Sequence, residues 1–405
     1  MRLLLLGGLA LALLGCTQPG PGSARAQPQH AAPPSAATHG AELARGIAAA
    51  AGYLARACDE EGRFVYLRHA EGEPVSARAY NVLRHAGAGY ALAQHHAASG
   101  SAASRAALLR SARYLRERHL RPLPQLGEGV LAILSLPQEE VPGAAAQAKL
   151  GGAGLGLVAL CAARSLEPGA VTLAELRGLG AFARAALRAD GSFHSKFNLG
   201  EGWDREFVSL YYPGEAILGL TRLAAQDPAG DWLALAARAA CALADQRRST
   251  PRDALPHDHW LLIGGAELLE QAPATLRFER GLLRAHLREL GLAILERQAD
   301  VGRYPGSFHP SGRTAPSATR LEGLVALAES LPKSDPLRAR LREAIARGGR
   351  WLLGTQLEQP AEVAGAFPAA DPGGGLAGAR GQVRVDFTQH ALSALLGWQA
   401  LSPGE

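Results

Sequence analysis

Three acidic residues stand where apolar helices are predicted to begin. Glu215 follows a Pro-Gly pair, Asp258 lies between two histidines, and Asp386 precedes an apolar run. Hydrolysis of a glycosidic bond uses one protonated and one ionised carboxyl group, and this set could supply both. Each residue also has a structural alternative, because an acid at a helix start suits the helix dipole or caps the helix. We predict that these three carboxylates are the catalytic candidates.

Other polar and aromatic side chains occur near the starts of the same segments. Burying them without partners would be costly, so their repetition indicates one shared polar cavity, although any single histidine could be a satisfied core residue. Aromatic rings would stack on sugars, and arginines would hold a uronate or sulfate. A tyrosine or histidine with a carboxylate could instead move a proton beside a uronate carboxyl group. The predicted substrate-binding residues are Tyr80, Asn81, Arg84, His85, Tyr211, Tyr212, His257, His259, Trp260, Arg320, Glu322, Arg384 and His390.

A metal site is the main alternative use of the histidines. His257 and His259 are two residues apart, and with His85 or His390 from another segment they could bind zinc. Three cysteines lie beyond residue 16, and none falls at the start of one of these helices. We therefore expect no metal and no cofactor.

Two kinds of helical segment alternate from residue 41 onward. Aromatics are only 5% of the chain, and alanine and leucine are plentiful, which favours helix over strand. Amphipathic, arginine-rich segments are predicted at Ala41–Ala57, Ala103–Arg118, Thr172–Ala189, Asp231–Arg247, Leu276–Gln298 and Asp335–Thr355. Segments that are apolar on most faces follow them at Tyr80–Gln94, Lys149–Ala163, Tyr211–Ala225, His257–Gln271, Pro316–Leu331 and Asp386–Leu401.

The alternation predicts an all-α repeat architecture, because no single helical hairpin of this kind can bury its own core. An open solenoid and a closed ring both satisfy that requirement. The apolar helices look buried on both sides, and no terminal hairpin looks like a polar cap. We therefore predict one domain, residues 41–405, in which six inner helices are surrounded by six outer ones.

The turn Asp190-Gly191-Ser192-Phe193 and the helix start Tyr212-Pro213-Gly214-Glu215 resemble those of the (α/α)6 toroid superfamilies. These include six-hairpin glycosidases, the C-terminal domain of glucuronyl C5-epimerases, terpenoid cyclases and lanthionine synthetase-like proteins. The resemblance implies an (α/α)6 barrel with a funnel at the inner-helix N-termini. The Asp-x-Asp-Asp signature of terpene cyclases and a Cys-His-Gly zinc signature are absent from the sequence.

The N-terminus is predicted to be an export signal. Residues 1–16 have a basic start and an apolar stretch too short for an ordinary membrane span, and they end in Leu-Gly-Cys. This ending resembles the lipobox of bacterial lipoproteins, which implies lipidation of Cys16; an ordinary secretory signal is the alternative. Residues 17–40, rich in Pro, Gly, Ser, Ala and Gln, are predicted to be a disordered tether. We expect a cell-envelope location, at the outer membrane or in the periplasm if the source is Gram-negative.

These features together predict a lipid-anchored, carbohydrate-active protein. The net charge is +5, but the arginines are scattered rather than clustered, so nucleic acid is not an expected partner. The expected ligand is a glycan, preferably acidic, modified by hydrolysis or by uronate epimerase or lyase chemistry. A non-catalytic glycan- or partner-binding scaffold is the alternative, and a zinc-dependent cyclase-like enzyme is a weaker one. Carboxylates facing each other across a cleft would favour hydrolysis; carboxylates locked onto arginines would favour a binding or structural role.

Overall fold

A computed structural model of the chain describes residues 36–75, 80–139 and 145–402. The predicted signal, Cys16 and most of the predicted tether lie outside these residues and stay predictions. The first helix begins at Ala36, five residues before the predicted domain boundary. Among the described residues, no helix is both long enough and apolar enough to cross a membrane.

Outer and inner helices alternate along the described chain, as predicted. The outer helices are α1 (Ala36–Ala57), α3 (Ala102–Tyr114), α5 (Leu173–Ala186), α7 (Trp232–Gln246), α9 (Arg280–Leu295) and α11 (Pro336–Leu353). The inner helices are α2 (Val82–Ser99), α4 (Leu150–Leu166), α6 (Tyr212–Gln226), α8 (His259–Gln271), α10 (Thr314–Ser330) and α12 (Val385–Leu401).

The inner helices form a closed ring. Each packs against the next inner helix along the chain, and α12 returns to pack against α2. Helices α3, α5, α7, α9 and α11 each cover the inner helix that precedes them, while α1 covers α12. The predicted closed barrel is therefore confirmed, and the solenoid alternative is wrong.

Glycines set the short distance between neighbouring inner helices. A Cβ atom at Gly219 of α6 would lie 2.5 Å from the carbonyl oxygen of Gly154 in α4. A Cβ atom at Gly264 of α8 would lie 2.8 Å from the carbonyl oxygen of Gly214 in α6. Because real Cβ atoms do not approach a backbone oxygen this closely, the inner helices need small residues at these crossings.

Short strands join the helices, and the all-helical prediction did not include them. Strands β2 (Leu120–Pro122), β3 (Leu131–Ser135), β4 (Gln147–Lys149), β5 (Lys196–Asn198) and β6 (Gly202–Trp203) form one antiparallel sheet in that order. Strand β1 (Leu67–His69) pairs antiparallel with β7 (Gln382–Arg384). Strands of two to five residues are too short to show the alternating pattern that identifies a strand in sequence.

Similar turns lead away from three of the outer helices. In each turn a glycine has a positive φ angle: 94° at Gly62, 84° at Gly191 and 92° at Gly306. Each of these glycines lies against the next outer helix, where a Cβ atom would clash with backbone or side-chain atoms. The turns thus lock successive hairpins together on the side where the inner helices begin.

Candidate active site

The inner-helix N-termini are fixed by ordinary capping interactions. The side chain of Asn81 accepts hydrogen bonds from the backbone N–H groups of Leu83 and Arg84, and therefore caps α2. Pro213 occupies the first turn of α6, where its missing N–H costs nothing. The side-chain oxygen of Asn81, which was predicted to bind substrate, is thus used to cap its own helix.

Three polar side chains from adjacent inner helices converge: His259 of α8, Glu322 of α10 and His390 of α12. The Nδ1 atom of His390 lies 2.6 Å from Oε2 of Glu322. The rings of His259 and His390 meet edge to face, with their centroids 5.5 Å apart. One donor atom from each of the three residues lies within 4.8 Å of the others. We call this group the central triad.

The two histidines of the central triad are in opposite electrostatic situations. Burial holds the pKa of His259 well below its usual value, and the nearby His390 and Arg320 lower it further, so His259 is neutral at pH 7. Burial also disfavours the charged form of His390, but the charge and hydrogen bond of Glu322 outweigh burial and raise its pKa. Two groups whose pKa values are pushed apart in this way are suited to act as a base and an acid.

Several polar atoms of the central triad have no partner in the structure. Among the described residues, neither ring nitrogen of His259 has a hydrogen-bond partner, and Oε1 of Glu322 has none. His259 is 3% exposed and Glu322 is 4% exposed. Because a buried polar atom without a partner is costly, their convergence indicates that a bound group completes the site.

Aromatic side chains border the central triad. The ring of Trp260 lies 5.1 Å from the ring of His259 and 6.0 Å from that of His390. Tyr211 meets the edge of His259 at 5.1 Å and is 40% exposed. Nearby in the chain, Phe207 and Val208 are also exposed. This rim offers flat apolar surfaces next to the histidines, which suits the faces of a sugar ring.

Arg320 lies at the border of the central triad without a carboxylate partner among the described residues. Its Nε donates to Nδ1 of His257 at 3.1 Å, and its Nη1 donates to the carbonyl oxygen of Phe308. Burial and the charges of Arg320 and Arg297 lower the pKa of His257 to about 4. Neutral His257 therefore positions the guanidinium group of Arg320 without neutralising it.

Asp386 is held between two arginines rather than facing another carboxylate. Its oxygens accept from Nε and Nη2 of Arg384 at 2.5 and 2.9 Å, and Nε of Arg84 lies 3.1 Å from Oδ2. Arg84 also donates to the hydroxyl group of Tyr66. Asp386 is therefore bonded to both guanidinium groups and does not face a second carboxylate among the described residues.

Asp258 likewise has structural partners. It is fully buried, its Oδ1 accepts from the backbone N–H of Leu261 at 3.0 Å, and its Oδ2 accepts from Nη1 of Arg247 at 2.9 Å. Burial raises its pKa to about 6, although Arg247 and the N–H of Leu261 act against the rise. The helix cap thus accounts for one of its oxygens and Arg247 for the other.

Tyr80 and His85 lie inside the wall of the barrel, behind α2. The Tyr80 hydroxyl group is 2.6 Å from Nδ1 of His85, and Nε2 of His85 is 2.9 Å from the carbonyl oxygen of Ser111 on α3. Burial lowers the pKa of His85 to about 3. Both ring nitrogens of His85 are therefore satisfied away from the central triad, as expected for a core histidine.

Glu215 is buried where α6 crosses α4. Its Oε2 lies over Gly151, where a Cβ atom would collide with it and with the ring of Tyr212, and Oε2 has no hydrogen-bond partner. Burial, with a smaller contribution from the charge of Asp258, raises the pKa of Glu215 to about 8. The side chain is therefore largely a neutral acid at pH 7.

This protonation predicts a pH-dependent effect of the Glu215→Gln substitution. The folded-state pKa is raised, so folding binds a proton and the wild-type free energy of unfolding falls as pH rises from about 4.5 toward 8. The neutral amide that the substitution introduces does not titrate, so the variant avoids this loss, although its amide also lacks full hydrogen bonding. We expect the free energy of unfolding of Glu215→Gln to exceed that of the wild type by roughly 1 to 2 kcal/mol at pH 8. At pH 4 the wild-type carboxyl group is already neutral, and we expect no gain. Urea unfolding of the variant and the wild type at both pH values measures this difference. An equal difference at pH 4 and pH 8 would contradict the buried, protonated state of Glu215.

A second opening lies at the other end of the ring, where the inner helices finish. A cavity of about 1100 Å³ is lined there by Tyr90, Gln94, Glu267, Ser393 and others, and it reaches Glu322. The Ser393 hydroxyl group donates to Oε1 of Gln94 at 2.6 Å. We call it the rear cavity. Glu322 therefore connects the central triad with a space that the sequence did not predict.

The structure thus brings together part of the predicted set. His259, Trp260, Tyr211, Arg320, Glu322 and His390 lie at the central triad, and His257 supports Arg320. Arg84, Arg384 and Asp386 form an ion cluster near His390, whose pKa Asp386 raises and Arg84 lowers. Tyr80, Asn81, His85 and Asp258 have structural partners. The possible zinc pairing of His257 with His259 does not form, because His257 is bonded to Arg320.

The partners Tyr66, Arg247 and Gln94 were not predicted. Tyr66 precedes a short strand and Arg247 ends an outer helix, so neither lies at an inner-helix start. Tyr66 reaches Arg84, and Arg247 reaches Asp258, from the links and outer helices next to the inner-helix starts.

Solved structures share this architecture. A D-mannose isomerase superposes with a TM-score of 0.63 at 13% identity, over 88% of this chain and 96% of that one. The chain has the (α/α)6 toroid fold. The unsaturated glucuronyl hydrolase of Bacillus sp. GL1 gives a TM-score of 0.59 at 18% identity, over 87% and 96% of the two chains. A type II terpene cyclase from Scytonema gives a TM-score of 0.56 at 16% identity, over 91% of this chain and 100% of that one.

No protein-family model matches the chain, and no curated protein sequence matches it. The three similar structures have unrelated names and chemistries, so the likeness shows the fold of this toroid and leaves its reaction to be inferred from its own side chains.

Proposed function

We propose that this toroid is a carbohydrate-active enzyme that moves a proton beside a sugar carbonyl group, as an isomerase or epimerase. The observation that carries the proposal is the geometry of the two histidines: their ring centroids lie 5.5 Å apart, Nδ1 of His390 is 2.6 Å from Oε2 of Glu322, and the ring nitrogens of His259 have no partner among the described residues. The fold likeness to a D-mannose isomerase is consistent with such chemistry.

The two histidines would divide the reaction between them. Neutral His259 removes the proton from the carbon next to the carbonyl group, while His390 gives a proton to the carbonyl oxygen, which yields an enediol. Return of the proton from His259 to the neighbouring carbon, and of the other hydroxyl proton to His390, completes an isomerisation. Inversion at one carbon requires in addition that the enediol turn its opposite face to His259 before the proton returns. Atoms and charges balance without an added cofactor.

Glycoside hydrolysis is the weaker candidate for this site. Asp258 and Asp386 are each bonded to arginine, and the Glu215 carboxyl group lies between helices. Hydrolysis uses two carboxyl groups that flank the scissile bond across a cleft. The rings of the central triad and its single carboxylate fit proton transfer better.

The proposed reaction can be tested by hydrogen exchange. Aldoses, ketoses and uronic acids would be incubated with the protein in D2O and followed by NMR. We expect deuterium at the carbon next to the carbonyl group of the true substrate, together with the isomeric sugar. Release of reducing ends from an oligosaccharide without such exchange would support hydrolysis instead, and no turnover of any sugar would contradict both.

We also propose that the substrate carries a negative charge, which Arg320 would bind. A hydrogen bond to a charged group contributes about 1.5 to 3 kcal/mol, so Arg320→Gln should raise KM for a uronic acid roughly 10- to 100-fold. A neutral sugar should be affected much less. Arg303→Gln, which changes an exposed arginine on the same side of the ring, is the matched control. Equal losses for charged and neutral sugars would contradict this assignment.

We propose that the enzyme is tethered to the cell envelope through Cys16. The proposal is supported by the signal-like sequence of residues 1–16 and the composition of residues 17–40. Mass spectrometry of the protein from bacterial membranes should find an acylated N-terminal peptide beginning at Cys16. A Cys16→Ser protein that remains in the membrane fraction would contradict it.

A further inference from the structure

The central triad has the composition of a metal centre as well as that of an acid–base pair. Two imidazole groups and one carboxylate are the protein ligands of many catalytic zinc sites. His259, Glu322 and His390 come from three adjacent helices, so their backbone positions are fixed by the ring. From the geometry we infer that the central triad binds a divalent transition-metal ion of the zinc type, and that the ion inhibits proton transfer there.

The unpartnered atoms point to a ligand at this place. Both ring nitrogens of His259 and Oε1 of Glu322 lack hydrogen bonds although both residues are buried. A neutral imidazole has a free lone pair for an ion, and a carboxylate oxygen supplies negative charge. An ion would therefore satisfy atoms that the protein itself leaves unpaired.

The distances require only side-chain adjustment. The three donor atoms lie within 4.8 Å of one another. Ligand atoms about 2.1 Å from a tetrahedral ion are ~3.4 Å apart, so each pair has to close by at most ~1.4 Å. Rotation of the two imidazole rings and of the Glu322 side chain can supply such a movement.

The rear cavity gives a cation a route to the central triad. It is lined by five carboxylate residues and three arginines, and Glu322 lies at its inner end. Two of the arginines are paired within this set, Arg222 with Glu267 and Arg288 with Asp335. Glu322 is paired with His390. The remaining charges, Glu270 and Glu329 against Arg284, leave the lining one charge negative, which favours entry of a cation.

An ion at the central triad would occupy the groups that the proposed reaction uses. His259 could not accept a proton while its lone pair binds a metal, and His390 and Glu322 would be bonded to the ion rather than to each other or to a sugar. The inhibitory part of the inference rests on the proposed function, whereas ion binding itself does not.

Binding can be measured without any sugar. The purified full-length protein would be treated with a chelator and titrated with Co2+, whose visible absorption reports coordination by nitrogen and oxygen, and with Zn2+ by calorimetry. We expect one ion per chain at the central triad, with at least tenfold weaker binding in His259→Gln and in Glu322→Gln. His286→Gln is the matched control, because His286 is also buried with an unpartnered Nε2 but lies on outer helix α9.

The outcomes separate the two proposals. Absence of binding, or binding that the two triad substitutions leave unchanged, would overturn the metal site. A chelated enzyme that is active and loses activity with one equivalent of Zn2+ would support inhibition; activity that appears only with Zn2+ would overturn it. If the protein binds Co2+ through the triad but turns over no sugar, the metal site stands and the proposed function fails.

Discussion

Substitution of His259 by glutamine is expected to lower sugar isomerisation by roughly 10²- to 10⁴-fold, the usual contribution of a general base. The glutamine side chain has a similar size and can still form hydrogen bonds, but it cannot remove the proton from the carbon next to the carbonyl group. Both ring nitrogens of His259 are free of protein partners, so the substitution removes no hydrogen bond from the fold. The rate of deuterium incorporation in D2O measures the effect directly.

His286→Gln serves as the control for loss of a buried histidine and should keep wild-type turnover. A His259→Gln protein that retains most of its activity while remaining folded would exclude His259 as the base.

The acid half of the pair gives a pH test. Activity that needs protonated His390 is lost as pH rises through the pKa of His390, which Glu322 raises above its ordinary value. Glu322→Gln should therefore move the alkaline limb of the kcat profile to lower pH by roughly 1 to 3 units. A purely structural role for Glu322 would lower activity at every pH without moving the limb.

Substitution of Gly154 by valine is expected to have the largest effect on stability. A Cβ atom there would lie 2.6 Å from the backbone nitrogen of Ala216, and still closer to the carbonyl group of Glu215. Helix backbones at the centre of a closed ring cannot move apart without opening neighbouring contacts, so we expect a loss of about 4 kcal/mol or more.

Gly281→Ala is the matched control, because no atom lies within 4 Å of the added Cβ on exposed outer helix α9. It should gain up to about 1 kcal/mol from helix propensity. Urea unfolding of both variants gives the comparison. A Gly154→Val protein as stable as the wild type would show that α4 and α6 do not meet at this position.

The sequence predicted the architecture well because its main signal is long and repeated. Each predicted inner segment overlaps the observed helix, from Tyr80–Gln94 over α2 to Asp386–Leu401 over α12. Inner helices have neighbours on both sides and so are apolar on most faces, whereas each outer helix keeps a charged, arginine-rich face. That alternation, repeated six times, can be seen without knowing any contact.

The candidate site was predicted less well, because the side chain of a polar residue near a helix start can point to the ring axis, to an outer helix or back to its own helix. His259 and His390 point to the ring axis, His85 points outward to Ser111, and Asp258 folds back to cap its own helix. Helix rotation decides among these directions, and it depends on packing between segments distant in sequence. Glu322, which binds His390 from 68 residues earlier in the chain, is such a distant partner.

The ring is closed by its two ends, where α1 covers α12 and β1 pairs with β7, so Leu67 and Arg384 meet although they are more than 300 residues apart. The seam can therefore form only after α12 has left the ribosome, and His390 arrives with that helix. Nascent chains stopped short of that point expose the apolar edges of α2 and α10. Such incomplete products are expected to be substrates for chaperones and proteases, which couples completion of synthesis to assembly of the central triad.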